Sequence, residues 1–202
     1  MPILQVPHTA VPPEALQTPR IRQRQWTEAD RAPFAALNAD PEVMAHFPGV
    51  LTRAESDAMV DRIHASIERN GWGFWAADDL TGGAPRFAGF VGLHIPQVPE
   101  LPFQPCVEIG WRLAQPFWGK GLATEGARLS LSVAFERLGL AEIVAMTQLT
   151  NLRSRAVMLR LGMQEAVGEE FEHPAVPVGA GGRAMCLYRL PRAQWLAGSV
   201  SL

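Results

Sequence analysis

Two glycines one residue apart, Gly119 and Gly121, stand between a polar turn and an Ala/Leu-rich helical run in the segment Q-P-F-W-G-K-G-L-A-T-E-G. Glycine lets the backbone approach a ligand without a Cβ in the way. The helix that follows presents its unpaired N–H groups and the positive end of its dipole at the same place. The combination predicts an anion site, most naturally for a phosphate group.

Neither of two common phosphate-binding motifs fits these glycines. A P-loop, G-x-x-x-x-G-K-[ST], would need glycine at Ala114 and Ser or Thr where Gly121 stands. A dinucleotide fingerprint, G-x-G-x-x-G, would need glycine at Thr124 and a place in an early βαβ unit. The alternative that stays open is a glycine-rich connection that only permits a tight turn.

The pattern of apolar residues predicts one mixed α/β domain with no boundary inside it. Segments in which apolar residues recur at every second position indicate strands, and capped segments in which they recur with a 3.6-residue period indicate helices. Residues 1–19 hold five of the 17 prolines and no periodic pattern, so we expect them to be a Pro-rich lead-in to a domain over residues 20–202. The expected strands are residues 21–26, 72–77, 87–94, 106–113, 142–147, 163–167 and 184–190, and the expected helices are residues 27–38, 52–70, 121–138 and 151–161.

Composition excludes several classes of partner. With 202 residues and a net charge of −2, the chain offers no electrostatic case for binding nucleic acid or an anionic membrane. No apolar run reaches the ~18 residues of a membrane span, and the N-terminus lacks the basic region of a secretory signal, so we expect a cytoplasmic protein. Cys106 and Cys186 are far apart and are expected to be reduced core thiols. The histidines show no metal-binding spacing, so we expect no metal.

The segment just before the glycine turn has two unlike faces. In V-E-I-G-W-R-L, residues 107–113, four apolar side chains alternate with Glu108, Gly110 and Arg112. Because successive side chains of a strand point to opposite faces, one face is apolar and the other presents a carboxylate beside a missing side chain. Room for a ligand is therefore expected on the second face.

Two segments carry a resemblance to a known family. The first segment is E-I-G-W-R-L-x-x-x-F-W-G-K-G-L-A-T-E-G, which resembles the acetyl-coenzyme A binding strand-turn-helix of the GNAT N-acetyltransferase superfamily. Its sequence is similar to that of the RimJ/RimL-like branch, the branch that resembles the ribosomal-protein N-terminal acetyltransferases. Of the superfamily signature Gln/Arg-x-x-Gly-x-Gly/Ala, the last two positions are Gly121 and Ala123, whereas the first is Trp118. The second segment, T-N-L-R-S-R-A-V-M-L-R-L-G-M, resembles the family's N-x-x-S segment with its closing Gly-Met. On the residues alone, Asn151 is also a helix N-cap, a role compatible with cofactor contact.

The resemblance implies a fold and a cofactor. The fold is a central, mostly antiparallel sheet of six to seven strands, splayed between strands 4 and 5 and flanked by about four helices. The splayed strand would pair its free backbone groups with the pantetheine arm of acetyl-coenzyme A, and the glycine turn would hold the pyrophosphate. The implied cofactor-binding residues are Ile109, Gly110, Trp111, Arg112, Leu113, Trp118, Gly119, Lys120, Gly121, Leu122, Ala123, Thr124, Asn151 and Ser154.

Acetyl transfer to an amine needs a base for the ammonium proton and a donor for the departing thiolate. Glu108 is the candidate base, although a strand carboxylate is as often solvated or salt-bridged, and the resemblance makes Ser154 the candidate acid. The acceptor would be a primary amine, either a peptide N-terminus or a small molecule, bound by a monomer or homodimer. Two alternatives stay open: a catalytically silent acyl-coenzyme A binding domain and a nucleotide-binding protein. Candidate acceptor-pocket residues are Phe47, His94, Phe171, His173 and Arg183.

Overall fold

The first half of the sheet is an antiparallel meander of four strands. They are β1 (Ile21–Arg24), β2 (Phe74–Asp79), β3 (Arg86–His94) and β4 (Glu108–Leu113), paired in chain order. The structure is a computed structural model, and it describes residue 6 and residues 8–98, 100–177 and 182–199. The strands expected at residues 72–77, 87–94 and 106–113 are confirmed as β2, β3 and β4.

The second half of the sheet is built around two longer strands with two short ones beside them. The strands are β5 (Glu142–Gln148), β6 (Gln164–Glu165), β7 (Phe171–Glu172) and β8 (Ala184–Pro191). The spatial order is β1-β2-β3-β4-β5-β8-β6, and β7 also pairs with β8. The expected mostly antiparallel sheet is confirmed. Within the described residues it has eight strands, because the two-residue β7, which has no periodic pattern, joins the edge of β8.

Strands β4 and β5 separate directly after they meet. Their parallel pairing is one residue pair, Glu108 opposite Val144, and the Val144 N–H donates to the Val107 carbonyl at 3.1 Å. On its other side, β5 pairs with β8 along its whole length, from Glu142 to Gln148. The sheet is therefore splayed between its fourth and fifth strands, as expected, and we call the gap the β4–β5 cleft.

Five α-helices flank the sheet in the described part of the chain: α1 (Arg31–Asn38), α2 (Arg53–Asn70), α3 (Leu122–Ser132), α4 (Leu152–Arg160) and α5 (Arg192–Ser199). Capping boxes are present at Thr27 and Thr52, the residues at which the first two helices were expected to begin. Gly71, with a φ of 79°, ends α2 in the left-handed conformation that favours glycine. Helix α5 had not been expected, since its residues show no clear apolar stripe.

Helices α1 and α2 cover one face of the sheet, and α3 packs on the other. Alternation sends Val91 of β3 toward α3, where a Cβ built on Gly126 would lie 3.3 Å from the Val91 side chain. Ala127 and Ser130 of α3 are fully buried, and their small side chains let the helix pack closely on the sheet. The helical run ends in a π-helical turn, Val133–Arg137, rather than in the regular helix expected there.

The residues before the sheet lie against the domain. The Thr9 N–H donates to the Asn70 carbonyl at 3.0 Å, and a 3₁₀ turn, Pro13–Leu16, precedes β1. Cys106 and Cys186 are both free and buried, as expected. Among the helices that the structure describes, none combines the length and hydropathy needed to cross a membrane.

Candidate active site

The free edge of β4 forms one wall of the β4–β5 cleft. In an antiparallel pair, successive residues point their N–H and C=O groups alternately toward the partner and away from it. Because the Val107 carbonyl bonds to β5, the backbone groups of Ile109, Trp111 and Leu113 face the same side, while the intervening residues pair with β3. The single parallel pair engages β4 at Glu108 and Ile109, the Leu113 carbonyl accepts from Trp118, and within the described residues β5 pairs with no later residue of β4. This edge can accept an extended, amide-containing ligand as an additional strand.

The glycine turn lies at the end of β4. Gly119 and Gly121 have φ values of 72° and 80°, which glycine adopts without strain. A Cβ built on Gly119 would have no described atom within 4 Å, and one built on Gly121 would lie 3.3 Å from Arg20 Nη2. Helix α3 begins directly afterwards at Leu122, and no side chain caps its N-terminus. Its first N–H groups therefore lie beside open space, which is the arrangement that binds phosphate.

The side chain of Trp118 connects the turn to α4. Its indole N–H donates to the Leu113 carbonyl at 2.6 Å, and the Arg153 guanidinium lies 4.5 Å from its ring centroid. Trp118 replaces the Gln or Arg of the signature, so here this position contributes ring stacking rather than a charged or amide side chain. An open cavity of about 470 Å³ adjoins the turn and is lined by Arg20, Gly121, Thr124, Glu125, Arg128 and Arg160.

The start of α4 has the expected cap. The Asn151 side-chain oxygen accepts from the Ser154 N–H at 3.2 Å, and its amide donates to the Thr147 hydroxyl at 2.9 Å. Gly162, with a φ of 82°, ends the helix. The Ser154 hydroxyl makes no hydrogen bond with any residue that the structure describes, so it is free to donate to a ligand.

Glu108 and His94 form a hydrogen-bonded pair on the α1–α2 face of the sheet. They are directly opposite each other on β4 and β3, and His94 Nε2 lies 2.7 Å from Glu108 Oε2. The imidazole also stacks on Phe74, with 4.4 Å between ring centroids. Glu108 is 8% exposed, and its second oxygen makes no hydrogen bond within the described residues. An ionised carboxylate only accepts hydrogen bonds, so Nε2 carries the proton and Oε1 is left for a further donor.

Three further candidates for the acceptor pocket, His173, Phe171 and Arg183, have different surroundings. The pKa of His173 is lowered by burial and by the Arg183 cation, which together outweigh the opposing effect of the Glu108 carboxylate. Phe171 contacts Phe103 edge to face, at 5.2 Å between centroids. Arg183, by contrast, is engaged with its own loop, because it pairs with Glu172 at 2.9 Å and donates to the Val176 carbonyl.

Arg112 is the functional candidate whose side chain the sequence reasoning did not interpret. It shares the face of Glu108 and Gly110, and only 9% of it is exposed. Its Nη1 donates to the Asn38 side-chain oxygen at 2.6 Å, and its guanidinium lies 4.0 Å from the Phe47 ring centroid. Burial lowers the pKa of Arg112 to about 10. The sequence did contain a signal for it, namely a charged residue at a strand position on the face that was predicted to contact a ligand.

Comparison with known proteins identifies a family model and several relatives. The model described as Acetyltransferase (GNAT) domain matches residues 20–164. The uncharacterized protein YkkB from Bacillus subtilis is 31% identical over 149 residues, which are 73% of this chain and 84% of that protein. The FsC-acetyl coenzyme A-N(2)-transacetylase from Aspergillus fumigatus is 38% identical over 91 residues, 44% of this chain and 37% of that protein.

Solved structures share the fold. A GNAT-family acetyltransferase from Bacillus anthracis superposes with a TM-score of 0.71 at 21% identity, covering 88% of this chain and 98% of that one. An acetyltransferase from Agrobacterium tumefaciens gives a TM-score of 0.69 at 25% identity, covering 90% and 95% of the two chains.

Proposed function

This chain belongs to the GNAT acetyltransferase family, and from that premise we propose that it is an N-acetyltransferase of the RimJ/RimL-like branch, which moves an acetyl group from acetyl-coenzyme A to a primary amine. GNAT acetyltransferases use acetyl-coenzyme A as the acyl donor. The observation that carries the proposal is the single-pair contact between β4 and β5, which leaves the backbone groups of Trp111 unpaired on the edge of β4 that leads to the glycine turn. A buried amide without a partner costs about 1 to 3 kcal/mol, so such an edge expects a ligand or water.

The residues of the cleft fit coenzyme A. The pantetheine arm contains amides, and along this edge the N–H and C=O of Trp111 and the N–H of Leu113 offer matching donors and an acceptor, whereas Trp118 occupies the Leu113 carbonyl. The N-terminus of α3, beside Gly119 and Gly121, would hold the pyrophosphate through backbone N–H groups. The name of the Aspergillus relative joins acetyl coenzyme A to transfer at an N(2) position, which agrees with this donor and with a nitrogen acceptor.

Glu108 is the proposed general base. The bound thioester supplies an activated acetyl carbonyl, and the amine must lose a proton to attack it. Glu108 Oε1 would accept that proton, while the Nε2–H of His94 holds Oε2 and fixes the orientation of the carboxylate. Ser154, whose hydroxyl is free in the described structure, would donate to the departing thiolate. Acceptor-pocket roles for Phe47, Phe171, His173 and Arg183 stay proposals.

The test is turnover of acetyl-coenzyme A over a panel of peptides and small amines, with release of the thiol and mass detection of the acetylated product. Glu108→Gln should lower kcat by about 10²- to 10⁴-fold, as expected for loss of a general base. Glu68→Gln makes the same chemical change at an exposed position of α2 and should leave turnover intact. Ser154→Ala should lower kcat with little change in coenzyme A affinity.

Two outcomes would contradict this assignment. Coenzyme A binding without acetylation of any acceptor would favour the silent acyl-coenzyme A binding domain. Tighter binding of ATP than of coenzyme A would favour a nucleotide-binding protein.

A further inference from the structure

Arg112 is a buried cation that the described residues leave without a counter-ion. Its side-chain neighbours come from four elements: Asn38 of α1, Met59 of α2, Phe90 of β3, and Phe47 in the loop between α1 and α2. All four are uncharged, and no described carboxylate forms an ion pair with Arg112. The C-terminal end of α1, where Asn38 lies, contributes only a partial negative charge.

One edge of the guanidinium has no hydrogen-bond acceptor among the described residues. Nη1 donates to Asn38, whereas Nε is buried with no hydrogen-bond partner and Nη2 bonds to no described residue. Phe47 covers the flat face of the group, so an acceptor for Nε and Nη2 has to approach in the plane of the guanidinium, where the buried Nε has no partner. Two parallel N–H groups on one edge match the two oxygens of a carboxylate. A buried charge without such a partner is costly, which is why buried charges in proteins are normally paired.

The position of Arg112 relates it to the acceptor rather than to the donor. Its backbone pairs with β3 and its side chain lies on the same face as Glu108, four residues away along β4. At about 3.3 Å per residue, the two Cα atoms are about 13 Å apart. The Phe74 ring fills the space over the intervening Gly110, where an added Cβ would lie 3.1 Å from it. An acceptor that lies along the Phe74 ring with its amine at Glu108 can therefore place an anionic group at Arg112 when a spacer of carbon atoms separates the two.

We propose that the acceptor carries a carboxylate and that the Nε and Nη2 groups of Arg112 bind it, with Phe47 closing over the ion pair. This inference rests on the proposed function, because it assigns the chemistry of the second substrate of that reaction. A single monovalent cation is matched in charge by a carboxylate. The acceptors that fit are amino acids and peptides with a carboxylate near the reactive amine.

The test compares amines that differ only in the carboxylate. The pairs are glycine and glycinamide, β-alanine and β-alaninamide, and 4-aminobutyrate and its carboxamide, together with peptides that begin with Asp or Glu against Asn or Gln. For the best-spaced pair, kcat/KM should be about 10- to 100-fold higher for the carboxylate. Arg112→Met should abolish this ratio by lowering the carboxylate value alone. Arg112→Lys should retain part of the ratio, since it keeps the charge and loses the fork.

The matched control is Arg62→Met, which removes the same charge from an exposed position of α2 and should keep the full ratio. A purely structural role for Arg112 would lower turnover of carboxylates and carboxamides equally, so the ratio separates the two explanations. Equal turnover of both members of every pair by the wild-type protein would overturn the inference while leaving N-acetyl transfer intact.

If no acceptor is acetylated, that result counts against the proposed function and not against the carboxylate site. A binding measurement on the wild-type protein then tests the carboxylate site by itself. In the coenzyme A complex, 4-aminobutyrate should shift the ¹⁵Nε resonance of Arg112, assigned by its loss in Arg112→Lys, and the carboxamide should not. Identical spectra with the two probes would overturn the carboxylate site whatever the enzymatic result.

Discussion

Replacing Gly119 by alanine tests whether the glycine turn holds the cofactor. The φ of Gly119 is 72°, and a Cβ built there would meet no described atom within 4 Å. The only cost to the ligand-free protein is therefore the left-handed backbone, about 1 to 2 kcal/mol for a residue with a Cβ. Gly83 provides a matched control, since its φ is 86° and its Cβ would also meet nothing within 4 Å, but it lies in the turn between β2 and β3.

The two alanine variants should lose the same stability and differ in ligand binding. In Gly119→Ala the new methyl group would occupy the space beside the first turn of α3, where the proposed pyrophosphate accepts backbone N–H groups. Loss of one hydrogen bond to a charged group costs about 1.5 to 3 kcal/mol, which raises the Kd for coenzyme A by about 10- to 150-fold. Gly83→Ala should bind coenzyme A like the wild type.

Urea unfolding measures the stability of each variant, and isothermal titration calorimetry with coenzyme A measures its affinity. The reasoning is refuted when both variants unfold at the same urea midpoint and bind coenzyme A equally well. A much larger stability loss in Gly119→Ala than in Gly83→Ala would also refute it, because the backbone strain is the same at the two positions.

Two further predictions concern ionisation in the folded protein. Burial raises the pKa of Asp30, but hydrogen bonds from Arg24 and Thr27 outweigh this and hold it below its ordinary value. The resulting stability is present above the unfolded pKa of about 3.9 and is lost as the pH falls through the lower folded value. Urea midpoints should decline in that acidic window, and an equal decline in Asp30→Asn would contradict the assignment. Burial raises the pKa of the Cys106 thiol to about 12, so a thiol reagent at mildly alkaline pH should modify Cys106 and Cys186 only after unfolding.

The elements that the sequence predicted well are those whose local signals agree with their packing. Thr52 and Gly71 mark the ends of α2 because an N-cap and a left-handed C-terminal residue act locally. The short β7 strand was missed because only its pairing with β8 makes it a strand. The π-helical turn at the end of α3 was missed for a similar reason, since the residues Val133–Arg137 have an ordinary helical pattern.

The side chains of the candidate site were harder to predict than its backbone. Alternation along one strand placed Glu108 and Gly110 on a shared face, but it could not give the register between β3 and β4 that puts His94 opposite Glu108. The environment of Arg112 was equally inaccessible, since Asn38, Met59 and Phe47 are distant in sequence and meet it only in the folded chain. Sequence patterns thus identify which residues share a face, and tertiary packing decides which of them interact.

The proposed donor site consists of backbone groups and the proposed acceptor site of side chains, and this difference determines which of the two a family match can identify. The edge of β4 and the glycine turn would bind the donor through backbone groups, so many sequences can build them, and a solved structure at 21% identity shares the fold. The α1–α2 face would bind the acceptor through side chains, and the loop between α1 and α2 that covers it is tied to both walls of the cleft. Asp40 accepts from Gln115 at 2.8 Å beside β4, and His46 lies 3.2 Å from Gln148 at the end of β5. Changes in that loop can alter Phe47 and the access to Arg112 without disturbing the backbone that would hold the donor. Selection can therefore change the acceptor while the donor site persists, and the acceptor has to be inferred from Arg112 and its neighbours in this chain.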